Sequence, residues 1–165
     1  MDELHYKIAE LADFEDFYKL KSEPGNIFWS GFTDGPDYDG FKIHYKKELA
    51  RDDRTIIFLY INNHIAGYVA ISFCDVDKTV ETAHSVLKDY SGRGLGKELI
   101  KYAVDYSKLE IPDADNIIGW IAENNIGSIK NVLGNGYIAT GEFEFRTFQQ
   151  VEDKVRFNKY IKSLK

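Results

Sequence analysis

The chain has 165 residues and a formal charge of −6, with 44% hydrophobic and 29% charged residues. This is the size and composition of one globular domain, and it excludes a disordered or fibrous protein. The single cysteine, Cys74, excludes an intramolecular disulfide and a cysteine-rich metal site, and we predict no metal site. Because Cys74 ends an apolar run, we expect it to be a small core residue.

The apolar runs and the net charge of the chain also predict its cellular location and its binding partners. No apolar run approaches the ~20 residues that span a bilayer, and residues 1–5 lack the basic head and apolar body of a signal peptide. We therefore expect a cytoplasmic protein without a membrane partner. The net negative charge disfavours nucleic acid as a partner and is compatible with a cationic substrate.

Two helices are predicted in the N-terminal third, after a short strand over residues 6–8. Asp13 stands where an N-cap would begin the first helix, and residues 23–26, Glu-Pro-Gly-Asn, end it. A loop rich in aromatic residues and glycine follows over residues 28–36. Apolar residues then recur at helical spacing and predict the second helix over residues 37–49. The apolar positions of the two helices are Phe14, Phe17, Tyr18 and Leu20, and Phe41, Tyr45 and Leu49.

Strands dominate the rest of the chain. A hairpin is predicted from apolar strands at residues 56–61 and 65–73, joined by an Asn-Asn-His turn. Further elements are predicted as strands at residues 79–87, 116–121, 143–148 and 155–161 and helices at 95–106 and 128–133. The order β-α-α-β-β-β-α-β-α-β-β indicates an α/β (α+β) fold, a mixed sheet with helices on its faces, in one domain over residues 1–165.

The segment over residues 90–97, Tyr-Ser-Gly-Arg-Gly-Leu-Gly-Lys, lies between a predicted strand and an amphipathic helix. Glycine lets the backbone turn tightly and approach a ligand closely. The first turn of a helix has N–H groups without partners and a partial positive charge. Together these features predict a phosphate or pyrophosphate site, with Arg93 and Lys97 adding positive charge at its rim.

Two other phosphate motifs do not fit this segment. A dinucleotide fingerprint requires glycine where the chain has Lys97, and a P-loop requires Ser or Thr where it has Glu98. A dehydrogenase or a kinase is therefore disfavoured.

The segment resembles the pyrophosphate loop of the GNAT family of N-acetyltransferases, Gln/Arg-x-x-Gly-x-Gly/Ala, and departs from it only at Ser91. Downstream, residues 125–128 are similar to the family's Asn-x-x-Ala/Ser helix start, and Gly136-Tyr137 to its Gly-Phe strand start. Upstream, Glu81 stands where one branch of the family often has a strand glutamate. The order of elements also agrees, so the resemblance covers nearly the whole chain and implies a GNAT-like, mostly antiparallel sheet.

The resemblance implies acetyl-CoA as co-substrate. The main-chain amides of residues 93–97 would bind the pyrophosphate, the strand at residues 85–87 would pair with the pantetheine arm, and Asn125 would hydrogen-bond the arm. Asn125 is also suited to be a helix N-cap without any ligand. The predicted cofactor-binding residues are Ser85, Val86, Leu87, Gly92, Arg93, Gly94, Leu95, Gly96, Lys97, Asn125 and Ser128.

Transfer to an amine requires a base, since an ammonium has no lone pair, and a donor for the thioester oxygen, for which we expect a main-chain N–H near Val86 or Leu87. Glu81 is the candidate base, with an exposed strand glutamate as the alternative.

The family's thiol-protonating Tyr is replaced by Val132, so the acid is unassigned and solvent can fill the role. Tyr137 is expected in the core, and His84 on the opposite strand face is expected to be structural.

The acceptor is assigned to the aromatic loop, with packing as the alternative for each residue. The predicted substrate-binding residues are Phe28, Trp29, Phe32 and Tyr38. Asp34, Asp37 and Asp39 stand among them, and aromatic faces with carboxylates suit a cationic amine. The sequence thus predicts an N-acetyltransferase acting on a primary amine of a small molecule or peptide, as a monomer or homodimer. The alternative is an inactive acetyl-CoA-binding module that senses the ligand or joins an assembly.

Overall fold

The structure, a computed structural model, describes residues 2–165. The strands in this range are β1 (Leu4–Ile8), β2 (Arg54–Ile61), β3 (His64–Cys74), β4 (Thr79–Val86), β5 (Asn116–Ala122), β6 (Ile138–Arg146) and β7 (Val155–Ser163). The α-helices are α1 (Phe14–Lys21), α2 (Pro24–Trp29), α3 (Tyr38–Leu49), α4 (Leu95–Glu110) and α5 (Ile126–Leu133). No helix within residues 2–165 has the length and apolar character that crossing a membrane requires.

The strands form one sheet in the order β1-β2-β3-β4-β5-β7-β6. Every neighbouring pair is antiparallel except β4 and β5, which are parallel. This confirms the predicted mixed, mostly antiparallel sheet. The β4–β5 pairing extends only from Thr79 to Glu81, opposite Asn116 to Ile118. Beyond Glu81 the two strands separate, and the rest of β4 has a free edge toward β5.

Helices cover both faces of the sheet because each has an apolar stripe at helical spacing. Leu99 and Ile100 of α4 pack on one face, and Phe17 of α1 and Tyr45 of α3 pack on the other. Strand β2 contributes to both clusters, which explains its continuous apolar run. A third cluster joins the β5–β7 region to Trp29 of α2.

Most predicted elements are confirmed near their expected ends. The hairpin turns at Asn62 and Asn63, whose φ values of 49° and 69° are the left-handed conformations that a two-residue turn requires. The helix predicted over residues 37–49 is α3, and its buried residue is Tyr45.

Several local predictions were wrong. The first helix does end before residues 23–26, at Lys21, but Phe28 and Trp29 are not loop residues, because Pro24 begins the second helix, α2. Proline is tolerated in a first helical turn, where its missing N–H is not needed. Asp13 precedes α1, but its carboxylate accepts from the Glu10 N–H and the Lys7 ammonium rather than capping the helix. Strand β6 begins at Ile138, ahead of an irregularity in its pairing, and Cys74 is exposed at the end of β3 rather than buried.

Candidate active site

A cleft of about 830 Å³ occupies the gap that opens where β4 leaves β5. It is bounded by the C-terminal half of β4, the glycine-rich loop before α4, the C-terminal half of β5 and the start of α5. The end of α1 and residues of α2 also line it. We call the end at the glycine-rich loop the loop end, and the end at α1 and α2 the acceptor end.

Two glycines shape the loop end. Gly92 and Gly94 have φ values of +75° and +78°, a region that side chains other than glycine rarely adopt. A Cβ atom at either position would have no heavy atom of residues 2–165 within 4 Å, so these residues leave the space over this backbone open. Helix α4 begins directly after Gly94, and its first N–H groups lack partners in the helix. This open, donor-rich turn fits a phosphate or pyrophosphate.

Most of the predicted cofactor residues come together at this cleft. Those that line it are Ser85, Val86, Gly92, Gly94, Leu95, Gly96, Asn125 and Ser128. Leu87, Arg93 and Lys97 do not. The Leu87 side chain is buried in the core under α1 and α3, and the Arg93 guanidinium lies over the Tyr90 ring, 5.5 Å from its centroid. Their main-chain groups can still take the roles that the sequence suggested.

Asn125 has the capping role, and its place in the cleft leaves the ligand-binding role open to it. Its side-chain oxygen accepts from the Ser128 N–H at 3.4 Å and so caps α5. It also lines the cleft. The amide nitrogen of Asn125 donates to no group within residues 2–165 and is free for a ligand.

Glu81 is exposed and does not line the cleft. It pairs with Ser72 and Ile118 and borders a separate, smaller hollow that also contains Asp53. The carboxylate that does line the cleft belongs to Glu23, at the junction of α1 and α2, and no other Asp or Glu of residues 2–165 lines it. Glu23 accepts from the Lys88 main-chain N–H at 2.9 Å, which fixes its orientation. In the sequence Glu23 is part of a helix-ending tetrapeptide, so nothing there marked it as functional.

Of the four predicted substrate residues, only Trp29 lines the cleft. Phe28 packs edge-to-face on Phe148, Phe32 is exposed, and Tyr38 donates its hydroxyl to Glu15. The three aspartates of the same segment, Asp34, Asp37 and Asp39, also lie outside the lining, and Asp37 caps α3 by accepting from the Gly40 N–H.

Other residues form the acceptor end instead. The Lys21 ammonium donates to the Tyr68 hydroxyl at 2.7 Å, so the hydroxyl keeps its own proton for a ligand. Trp120 lines the cleft as well, and Arg146 lies over the Phe157 ring, 4.0 Å from its centroid. No sequence pattern marked these residues, because they come from α1, β3, β5, β6 and β7.

The position at which the family often has a tyrosine that protonates the thiolate is occupied here by a buried apolar residue. Val132 is buried on α5, and Tyr137 is 2% exposed and belongs to the core, as predicted. Tyr68 and Tyr90 are the tyrosines that line the cleft within residues 2–165, and neither lies on α5.

His84 also lines the cleft, on the β4 face that packs toward α4 and α5. Its Nε2 lies 3.1 Å from the Asn131 amide nitrogen. Burial lowers the pKa of the His84 imidazole to about 4. The ring is therefore neutral at pH 7, so Nε2 accepts from Asn131 and Nδ1 carries the proton. A neutral ring with so low a pKa is a poor base, which agrees with the structural role that we predicted.

The His84 environment predicts acid sensitivity of the fold. Unfolded, this histidine has its ordinary pKa of ~6.5, so the unfolded chain binds the proton first as the pH falls. Stability from this group is complete above about pH 6.5 and is lost as the pH falls toward about 4, where the folded protein is protonated as well. The loss between pH 7 and pH 5 is about 2 kcal/mol.

Urea unfolding at these two pH values tests the expectation. His84→Gln keeps an acceptor for Asn131 and should lose about 2 kcal/mol less than the parent protein over this interval. His64→Gln replaces an exposed histidine on the neighbouring strand and serves as the control. If the parent and His84→Gln lose the same free energy of unfolding between pH 7 and pH 5, then His84 is protonated as readily in the folded protein as in the unfolded chain.

Solved structures similar to this chain are acetyltransferases. A GNAT-family acetyltransferase from Streptococcus pneumoniae is 18% identical with a TM-score of 0.80, covering 98% of this chain and 99% of the other. Spermidine N-acetyltransferase from Vibrio cholerae, in complex with CoA and spermine, is 15% identical with a TM-score of 0.84. The match covers 98% of this chain and 95% of the other. The yncA protein from Salmonella typhimurium, with acetyl-CoA, is 16% identical with a TM-score of 0.79, covering 98% and 94%.

These similarities at low identity show a shared fold. The family itself is shown by the sequence, because the family model described as acetyltransferase (GNAT) family matches residues 14–132, which is well over half of the chain. The matched range contains the glycine-rich loop, the whole of β4 and β5 and the start of α5. The chain therefore belongs to the GNAT family of acetyltransferases.

Proposed function

We propose that this protein transfers the acetyl group of acetyl-CoA to a primary amine of a small molecule or peptide. The observation that supports this best is the cleft itself. Its lining includes an open glycine turn at a helix N-terminus together with a carboxylate, an ammonium and aromatic side chains. A single continuous cleft thus provides for a phosphate-bearing donor and for a polar acceptor.

Acetyl-CoA is the co-substrate, and its thioester supplies the acetyl group while the departing thiolate takes up a proton. At the loop end, the first N–H groups of α4 would bind the pyrophosphate. The free edge of β4 at Ser85 and Val86 would pair with the pantetheine arm as an added strand does, and the Asn125 amide would donate to it. These groups position the thioester between the two ends of the cleft.

At the acceptor end the amine must lose a proton before it can react, since an alkylammonium in water has a pKa of ~10.4. We propose Glu23 as the base, because it is the carboxylate of the cleft and the Lys88 N–H holds it in place. Glu81, the candidate from the sequence, is the rival, and it would have to act from outside the lining.

A thiol-release assay over a panel of amines tests the function, with thermal stabilisation by acetyl-CoA as the parallel readout. Ligand at 100 times its dissociation constant stabilises a fold by about 2.7 kcal/mol. Stabilisation without thiol release from any amine would favour the second candidate, an inactive acetyl-CoA-binding module. The specific observation for that candidate is Val132, which leaves α5 without the family's acid.

Trp29 is predicted to form one wall of the acceptor site, since it alone of the four predicted substrate residues lines the cleft. Trp29→Ala should raise the KM for the acceptor on the order of tenfold, through the lost ring contact. The dissociation constant of acetyl-CoA should stay nearly unchanged. Steady-state kinetics and a binding titration measure the two quantities.

Stability provides the control for Trp29, because the ring also packs on Phe28 and Phe148. Removing a fully buried Trp costs ~3–5 kcal/mol, and this half-buried ring should cost less. Phe32→Ala, an exposed ring of the same segment outside the lining, should change neither KM nor stability. A large loss of stability with unaltered acceptor kinetics would assign Trp29 to packing alone.

A further inference from the structure

Charge is distributed unevenly in the lining of the cleft. Glu23 is the one carboxylate lining the cleft within residues 2–165, and its Oε2 already accepts from the Lys88 main chain. Among the residues that the structure describes, four basic side chains line the cleft: Lys21, Lys88, Lys130 and Arg146. The lining therefore carries a net positive charge although the chain as a whole carries −6.

Lys21 differs from the other three basic residues. The guanidinium of Arg146 pairs with Glu144 at 2.7 Å, and Lys88 and Lys130 are exposed to water. Lys21 is half-buried, and within residues 2–165 no carboxylate lies within 4.0 Å of its ammonium. Its polar partner is the neutral Tyr68 hydroxyl, and its ammonium lies 4.9 Å from the centroid of that ring. The centroid of the Phe17 ring lies 5.7 Å from the same ammonium, so its contacts within residues 2–165 are with neutral groups. An anionic ligand in the cleft would supply a counter-ion through a charge-assisted hydrogen bond.

A second donor lies at the same end of the cleft. Asn26 is only 6% exposed and lines the cleft. Its side-chain oxygen accepts from the Ser30 hydroxyl at 3.3 Å, but its amide N–H₂ donates to no acceptor in the described part of the chain. The amide nitrogen itself is not fully buried and keeps contact with the open space of the cleft, where a ligand oxygen can accept from it. The Lys21 ammonium, which donates one of its three N–H groups to Tyr68, and the Asn26 amide thus both have donors left for a ligand near the junction of α1 and α2, where Glu23 also lies.

We propose that the acceptor is a small zwitterionic amine, an α-amino acid in the simplest case. Its carboxylate would bind the Lys21 ammonium and the Asn26 amide, and its amine would lie toward Glu23. This inference rests on the proposed function and specifies its substrate. A carboxylate and an unpaired ammonium in one pocket match a ligand that has one charge of each sign.

A polycation is the competing acceptor. The similar structure of the spermidine N-acetyltransferase from Vibrio cholerae contains spermine. Here a polyamine would face Lys21 and Arg146 with one lining carboxylate to balance its charges. The aspartates that would favour a cation, Asp34, Asp37 and Asp39, lie outside the lining. Like charges within one cleft disfavour binding.

The test compares free α-amino acids with their α-carboxamides and with spermidine. The carboxamides keep the side chain and the amine but lack the anionic group. Each compound is measured twice, by stabilisation of the CoA-saturated protein and by thiol release from acetyl-CoA. Free acids should bind and react in preference to their carboxamides and to spermidine.

A variant pair assigns the preference to Lys21. Lys21→Met keeps the aliphatic stem and removes the charge, and it should reduce kcat/KM for free acids by roughly ten- to one-hundredfold, the effect of one charge-assisted hydrogen bond. It should leave the activity on carboxamides nearly unchanged, a split that general damage to Tyr68 or to the fold would not produce. Lys46→Met, an exposed lysine of α3 outside the cleft, is the control and should behave as the parent does.

The outcomes separate this inference from the proposed function. If free acids stabilise the protein through Lys21 but no amine releases thiol, the acceptor site stands and the transferase activity is refuted. If carboxamides or spermidine react as well as the free acids do, the zwitterionic acceptor is refuted and the transferase stands. Equal losses on acids and carboxamides in Lys21→Met, or no stabilisation by any free acid, also overturn the inference.

Discussion

Gly94→Val should abolish binding of acetyl-CoA and leave a folded protein. The backbone at Gly94 has a φ of +78°, which costs a side chain with a Cβ about 1–2 kcal/mol. The added side chain would also extend into the open space over the turn, where the first N–H groups of α4 are exposed. Losing two charge-assisted hydrogen bonds to a phosphate corresponds to at least about a 100-fold loss of affinity. Isothermal titration with acetyl-CoA measures the loss.

Gly141→Val is the matched control. Gly141 has a φ of +88° and likewise has no heavy atom within 4 Å of an added Cβ, but it lies in β6 away from the cleft. Both variants therefore carry the same backbone strain, and melting curves should show similar losses of stability. Only Gly94→Val should lose the ligand. If folded Gly94→Val protein binds acetyl-CoA with the affinity of the parent, the glycine turn is not part of the cofactor site.

The sequence was sufficient to predict the fold and the loop end of the cleft. Apolar spacing is a local property, so β2, α3 and α4 could be predicted from their own residues. The glycine turn is also local, since three glycines and the following helix form one continuous segment. Likewise Asn125 and Ser128 are close in sequence and meet in one capping hydrogen bond.

The acceptor end could not be predicted in this way, because tertiary structure brings its residues together. Lys21 meets Tyr68 across 47 positions, and Glu23 meets Lys88 across 65. No local pattern records such contacts. The aromatic density of residues 28–41 favoured a pocket, but most of those rings pack on each other or on neighbouring elements, and Trp29 alone lines the cleft. Glu81 lies where β4 is still paired with β5, and the cleft opens only beyond it. The alternation of residues along β4 does not reveal where that pairing ends.

Glu23→Gln should lower turnover by about 10²–10⁴-fold, the usual effect of losing a general base. Glutamine keeps a side-chain oxygen that can accept from the Lys88 N–H, so the α1–α2 junction should stay in place and only the proton acceptor is lost. The loss should shrink as the pH rises toward the pKa of the amine, since free amine then forms without help. The affinity for acetyl-CoA should change little, because the contacts proposed for the pyrophosphate and the pantetheine arm come from main-chain groups and the Asn125 amide rather than from Glu23.

The pH–rate profile of Glu81→Gln decides between the two carboxylates. Glu81 has the same chemistry on an exposed strand position, outside the cleft lining, so this variant should keep the parent's turnover and its pH dependence. A profile that changes in Glu81→Gln and not in Glu23→Gln would make Glu81 the base and would require a water-mediated path from outside the lining. Partial effects in both variants would show two carboxylates sharing the proton transfer. Unchanged profiles in both would leave proton removal to solvent, and Glu23 would then serve to orient the ammonium of the acceptor rather than to deprotonate it.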